Sequence, residues 1–127
     1  LSFVGAKFDG IGGVSGISSA NAVTVAPDGA HVYVAGRGSA AVAVFSRNQT
    51  SGDLTFVEAA TNGVNGVDGL AGAESVAVSL DGRHVYAAGA NDNALAVFSR
   101  SAATGALTFV EVERDGVNGV NGLAGNW

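Results

Sequence analysis

His31 and His84 stand at matching places in two copies of one text, each three residues after an Asp-Gly step (Asp28-Gly29 and Asp81-Gly82). A histidine next to a carboxylate is the usual raw material for acid–base chemistry near neutral pH or for metal binding. Repetition argues against both uses. A catalytic group is expected once, at the place where substrate sits, whereas a residue that recurs in every repeat belongs to the frame. His31 and His84 are therefore read as hydrogen-bonding residues that lock a turn. Asp28, Gly29, Asp81 and Gly82 form that turn, because glycine takes the positive φ that an Asp-Gly turn requires. Arg47 and Arg100 also recur, and are read as solvated or as partners of carboxylates such as Glu58 and Glu111.

A second constellation lies in three glycine-rich segments: Asp9-Gly-Ile-Gly-Gly-Val-Ser15-Gly-Ile, Asn62-Gly-Val-Asn65-Gly-Val-Asp68-Gly-Leu and Asp115-Gly-Val-Asn118-Gly-Val-Asn121-Gly-Leu. A polar residue at every third position could align oxygens, and calcium takes oxygen ligands. Asn65, Asp68, Asp115 and Asn118 are the weak calcium candidates. Carboxylates are sparse in these segments and the EF-hand spacing is absent. The plainer reading is a compact loop whose aliphatic residues plug a gap while its Asx side chains bond the local backbone. No cofactor is expected, and a calcium-stabilised protein would melt lower in chelator.

What differs between the copies points to ligand binding instead. Arg37-Gly38-Ser39-Ala40 in one becomes Ala90-Asn91-Asp92-Asn93 in the other, and Asn21 becomes Glu74. Arg37, Glu74, Asn91 and Asp92 are thus the candidate ligand-binding residues. No Ser/His/Asp triad or paired-carboxylate site assembles from them, so no catalytic residue is assigned. The single tryptophan, Trp127, gives no basis for a sugar-stacking platform in each repeat.

The elements that must position these groups follow from the repeat itself. LSFV begins at Leu1, and LTFV begins at Leu54 and again at Leu107, a constant ungapped step of 53 residues. Each period carries four short apolar runs: Ala22–Ala26, His31–Gly36, Ala41–Arg47 and Leu54–Glu58 in the first, and Ser75–Leu80, His84–Gly89, Ala94–Arg100 and Leu107–Glu111 in the second. Leu1–Val4 is a further copy of the fourth run, giving an extra outer strand. Asp-Gly between apolar runs marks a hairpin.

The first three runs of each period are apolar at both alternate positions, as a strand covered on both faces must be. Side chains also grow along the period, from Val, Ala, Ser and Thr, through Tyr33 or Tyr86, to Phe45 or Phe98 and then Phe56 or Phe109. Sheets that fan from an axis lie close near it and diverge outward, which suits small inner and aromatic outer strands. The expected fold is all-β: two four-stranded antiparallel β-propeller blades plus the extra outer strand. A β-sandwich is the runner-up, although it requires no fixed period, and the coils of a β-helix are too short.

The expected divisions are 1–21 (outer strand and connecting loop), 22–58 (first blade), 59–74 (loop), 75–111 (second blade) and 112–127 (loop toward a next blade). Two blades cannot close a ring of the usual four to eight. Further blades of a longer chain, or further copies of this one, are the expected partners, three copies giving six blades and four giving eight. An excerpt of a longer repeat array is the first reading of the unclosed ring, and a filament built by strand addition the second.

Composition narrows the partners. The net charge is −5, and the six Lys and Arg residues are scattered, which argues against nucleic acid. No apolar run approaches the roughly 18 residues of a membrane span. With no cysteine there is neither a disulfide nor a thiolate metal site. Asn48-Gln49-Thr50 has the form of a glycosylation sequon but reads as a polar turn.

The run (S/A)-(P/L)-D-G-x-H-V-Y-(V/A)-A-G at residues 27–37 and 80–90, followed by A-V-F-S-R and x-T-G-x-L-T-F-V-E at 43–58 and 96–111, resembles the YVTN-type repeats. These occur in lactonase-like seven-bladed propellers and in microbial surface-layer proteins. The resemblance implies a propeller and an exported protein, placed outside the cell, at its surface or in the periplasm. It carries no catalytic residue onto this chain. The resulting expectation is a non-enzymatic structural or binding scaffold of propeller repeats. The alternative is part of a lactonase-like hydrolase, favoured if single-copy polar residues converge near the ring axis.

Overall fold

A computed structural model describes residues 1–124. It contains eight strands: β1 (Ala20–Val25), β2 (His31–Gly36), β3 (Ala41–Arg47), β4 (Leu54–Thr61), β5 (Ala73–Val78), β6 (His84–Gly89), β7 (Ala94–Arg100) and β8 (Leu107–Arg114). They form two antiparallel meanders, in order β1-β2-β3-β4 and β5-β6-β7-β8. The Asp-Gly steps make the expected tight hairpins. Gly29 and Gly82 take φ of 75° and 74°, while Asp28 Oδ1 accepts from Ala30 N and Asp81 Oδ1 from Arg83 N.

The inner strands begin two residues earlier than the apolar runs suggest, and the outer strands run three residues further. Both sheets repeat the same irregularities. The register skips Asn21 between Ala20 and Ala22, and likewise Glu74 between Ala73 and Ser75. A second skip falls at Val57 and at Val110, opposite Val44/Phe45 and Val97/Phe98. A bulge of this kind bends the strand and redirects a side chain.

The sheets pack face to face, with their contacts concentrated on β5 against β1 and β2, so they converge at the inner strands. Tyr33, Val42 and Val44 of the first blade meet Val85, Ala87 and Phe98 of the second, joined by Val67 and Leu70 from the connecting loop. In each blade an outer aromatic pair meets edge to face, Phe45 with Phe56 at 5.6 Å and Phe98 with Phe109 at 5.7 Å. This is two blades of a propeller, as the pattern of side-chain size implies.

Coverage of the inner strand departs from expectation. β2 and β3 are buried on both faces, but Val23 and Val25 of β1 are 66% and 51% exposed. Their equivalents Val76 and Val78 pack against the interblade core. The side chains are the same; only the second pair has a neighbouring blade to cover it. The extra outer strand does not form either. Leu1–Val4 lies outside every sheet and is exposed. Its repeat equivalents pair with the third strand of their own blade, and there is no such strand before residue 20.

The glycine that closes β2 and β6 has a steric purpose. The loop that crosses the end of each blade lays Gly16 O against Gly36, and Gly69 O against Gly89, so closely that a Cβ would collide with backbone. Gly89→Ala should therefore push the 69–72 loop off the blade and destabilise the chain by about 1–3 kcal/mol. Urea unfolding measures this, and a midpoint equal to wild type would show that the loop has room to move.

Candidate functional site

The two ends of the blades carry different chemistry. At the hairpin end, where the Asp-Gly turns lie, a buried guanidinium joins the blades. Arg100 leaves β7 with its side chain 1% exposed. Its Nη1 donates to Gly82 O of its own blade at 2.9 Å. Its remaining bonds reach the first blade: Nε donates to the Tyr33 hydroxyl at 2.7 Å, and Nη2 to both oxygens of Asp28 at 3.2 and 3.1 Å. Tyr33 OH in turn donates to Gly105 O at 2.7 Å. His31 Nδ1 lies 2.9 Å from Nη2. A guanidinium can only donate, so Nδ1 is the acceptor and the ring proton sits on Nε2.

These contacts set the ionisation of the cluster. His31 is held below its ordinary pKa, first by burial and then by the positive charge of Arg100. Asp28 is lowered chiefly by the Ala30 amide, with Arg100 adding to it, and burial raises the Tyr33 phenol. His31, expected to lock a turn by a hydrogen bond, makes its side-chain bond across the blade interface to Arg100. Arg100 does find a carboxylate in the neighbouring blade, but it is Asp28. Glu58 Oε2 accepts from Leu107 N. Every member of this cluster lies in a recurring motif, Gly105 matching Gly52.

At the opposite end, where the connecting loops and the second hairpins lie, the residues that differ between periods come together. Glu74 occupies the bulge that opens β5, and Arg37 follows β2 in the first blade. Arg37 Nη1 donates to Glu74 Oε1 at 2.6 Å, with the side chains 44% and 26% exposed. Asn21, in the matching bulge of β1, donates from Nδ2 to Glu74 O at 3.1 Å. Asp92 Oδ2 accepts from Ala71 N, as Ser39 Oγ accepts from Ser18 N in the first blade. Asn91 N donates to Ala71 O, and its side chain packs on Gly72. Thus Arg37 and Glu74 meet directly, whereas Asn91 and Asp92 hold the loop that leads into Glu74. Nearby, Arg114 Nη2 pairs with Asp68 Oδ1 at 2.6 Å, which lowers the Asp68 carboxyl and raises the guanidinium.

Asp9, Asn62, Asp68 and Asp115 of these loops are engaged in local bonds. The first Asx of each one is bonded to backbone eight residues on: Asp9 to Ile17 N, Asn62 to Leu70 N and Asp115 to Leu123 N. Asn65 and Asn118 occupy positive-φ corners at 53° and 51°. Asp68 serves Gly69 N and Arg114. Among the described residues, no group of three His, Cys, Asp or Glu side chains is placed to hold a metal ion. Trp127 lies outside the described residues.

Comparison with known proteins decides the family. The profile of a family described as "Lactonase, 7-bladed beta-propeller" matches residues 6–118. The chain belongs to this lactonase propeller family. A 6-phosphogluconolactonase of Bacillus subtilis (strain 168) is 54% identical over 41 residues, 32% of this chain and 12% of that protein. Among solved structures, the periplasmic gluconolactonase PpgL of Pseudomonas aeruginosa aligns over 78% of this chain and 27% of its own, with 29% identity and a TM-score of 0.63. A candidate 6-phosphogluconolactonase from Bacteroides uniformis ATCC 8492 aligns over 82% of this chain and 29% of its own, with 25% identity and a TM-score of 0.69. This lactonase-family chain thus spans less than a third of the length of these relatives.

The expectation of a non-enzymatic scaffold is overturned by these relatives, which are named as enzymes. The physical reason lies in the two blade ends. Recurring residues dominate the sequence and do build scaffold, but Arg37 and Glu74 sit in different periods and meet only once the blades pack.

The hairpin-end cluster yields two measurable expectations. Tyr33→Phe leaves Arg100 Nε and Gly105 O without their buried partner and should cost about 1–3 kcal/mol in urea unfolding. Because the folded pKa of His31 is depressed, its contribution is complete above the unfolded value of about 6.5 and is lost as pH falls toward the folded value. Unfolding midpoints should accordingly drop between about pH 7.5 and about pH 5.5 in wild type and stay level in His31→Gln. A parallel decline in both proteins would place the titration elsewhere.

Proposed function

We propose that these two blades belong to a propeller that hydrolyses sugar lactones, with the Arg37–Glu74 pair as the polar part of its substrate site. The observation that carries this reading is that two charged residues, each present in only one period, converge at 2.6 Å beside the inner strands. One of them stands on a bulge, a feature enriched next to active sites. The names of the relatives supply the substrate class, a gluconolactone or its 6-phosphate.

Hydrolysis of such a lactone joins a water oxygen to the carbonyl carbon and breaks the ring carbon–oxygen bond. The ring oxygen leaves as a hydroxyl, and the new acid loses a proton to become a carboxylate. A carboxylate such as Glu74 suits removal of a proton from the attacking water. A guanidinium such as Arg37 suits the oxyanion that forms at the carbonyl, or a phosphate on the sugar. Both side chains are accessible enough to exchange their mutual bond for bonds to substrate. Asp92, through Ala71 N, fixes the loop preceding Glu74 and so positions the carboxylate.

The test is turnover of glucono-1,5-lactone and its 6-phosphate by the complete propeller containing these blades, followed by acid release. Glu74→Gln should lower kcat by about 100-fold or more, and Arg37→Met by about 100- to 1,000-fold. Turnover unchanged in both variants would remove the pair from the reaction.

A further inference from the structure

We propose that Asn65 is a site of spontaneous modification, losing its side-chain amide to attack by the backbone nitrogen of Gly66. The products are aspartate and isoaspartate, in the loop that leads to Glu74. The residue after an asparagine governs how open that attack is, and glycine hinders it least because it carries no Cβ. The loop between the blades holds three Asx-Gly steps, at Asn62, Asn65 and Asp68. Their surroundings differ sharply.

Ring closure needs a free nucleophile and a free side-chain carbonyl. At Asn62 neither is free. Gly63 N donates to Val67 O at 2.8 Å, Asn62 Oδ1 accepts from Leu70 N at 3.0 Å, and Asn62 N donates to Ala40 O at 2.9 Å. At Asp68, Gly69 N donates to the side chain itself, and the ion pair with Arg114 keeps that side chain a carboxylate, whose oxygen is a poor leaving group. Asn65 is the exception. Among the described residues, neither its carboxamide nor Gly66 N makes a hydrogen bond. Both residues are exposed, and a Cβ on Gly66 would meet nothing within 4 Å, so the step has room to turn. Turning it toward closure strains one contact, the bond from Val67 N to Val64 O at 3.1 Å. This exposure lies between two blades. Asn65 lines a groove of about 220 Å³ together with Glu58 and Thr61 of β4 and Thr108 and Phe109 of β8, so a blade stands on each side of it.

The reaction consumes only water. Gly66 N gives its proton to solvent and bonds to Asn65 Cγ, while the side-chain nitrogen takes up a proton and leaves as ammonia. Water then adds to either carbonyl of the cyclic imide. Breaking the new carbon–nitrogen bond yields aspartate. Breaking the original peptide bond yields isoaspartate, whose main chain runs through the former side chain and is a methylene longer. Either product brings a carboxylate to the groove that Glu58 lines. Isoaspartate also lengthens a segment anchored on both sides, by the Asn62–Leu70 bond and by the Asp92–Ala71 bond that precedes Glu74. The modification is independent of the lactone reading and is read without any activity.

Ageing of the complete propeller containing these blades, folded and in urea at one mildly alkaline pH, tests the proposal by peptide mass spectrometry against unaged controls. The tryptic peptide 48–83 carries both asparagines, and fragmentation within it locates the gain of acid and separates aspartate from isoaspartate. In the folded protein Asn65 should convert about tenfold or more faster than Asn62, because closure at Asn62 must first break the bonds of both reacting groups. Urea removes that protection, so the preference for Asn65 should disappear there. Isoaspartate should be among the products. Asn65→Gly installs the residue that the repeat carries at Gly12, suits the positive φ, and should leave only the slow gain at Asn62. The proposal is overturned if Asn65 stays intact in the folded protein while it converts in urea, or if its preference over Asn62 is equal in the two states. Aspartate formed without isoaspartate, or an Asn65→Gly peptide that gains acid as fast as wild type, overturns it equally.

Discussion

One buried guanidinium fixes how the two sheets sit against each other. Taking a charge out of water is tolerable only when its donors are all met, and the partners of Arg100 come from both blades. Sliding or rotating one sheet by a few ångströms would leave N–H groups unpaired in a closed interface, a far steeper penalty than an imperfect fit of Val against Ala. Apolar packing supplies the drive to associate, and the guanidinium selects one relative orientation. The neutral state of His31 follows from the same geometry, since an imidazolium there would face a cation.

That fixed orientation has a consequence at the other end of the blades. Arg37 and Glu74 belong to different periods, 37 residues apart in sequence. Their 2.6 Å contact exists only if the blades keep one angle and one register. The bulge is common to both blades and occupied by Asn21 in one and Glu74 in the other. The repeat thus supplies an identical backbone perch in each blade, and substitution at the perch changes the side chain presented there. The recurring Arg100 cluster and the non-recurring Arg37–Glu74 pair lie at opposite ends of the blades.

Much of this was legible in the residues. The ungapped repeat and the paired Asp-Gly steps fixed the strands of both blades to within three residues, and the increase in side-chain size from inner to outer strands gave the fan. Arg37 and Glu74 were picked out by their difference between copies. Their meeting was not legible, because it depends on the rotation between blades, which no single period encodes. The role of Arg100 was half visible: a recurring arginine at a strand end invites a carboxylate partner, but Asp28 was already accounted for as a turn former. A side chain can do both. Asp28 gives Oδ1 to its own turn and both oxygens to the neighbouring blade.

Burial in a repeat of this kind is a property of the junction, so sequence alone could not assign it. Val23 and Val76 occupy the same place in the same strand, yet one is two-thirds exposed and the other packs into the core. The same contrast separates Tyr33 from Tyr86 and Arg100 from Arg47. Most of the stabilisation in such an array is therefore expressed between units, as in other repeat architectures where interface terms add to weak intrinsic ones. A given substitution should then have two different effects in one molecule, large at the covered junction and small at the open face. The Arg-Tyr-His-Asp latch makes that asymmetry steep, because its cross-blade bonds form together at the covered junction, whereas among the described residues Arg47 and Asp81 keep only bonds within their own blade.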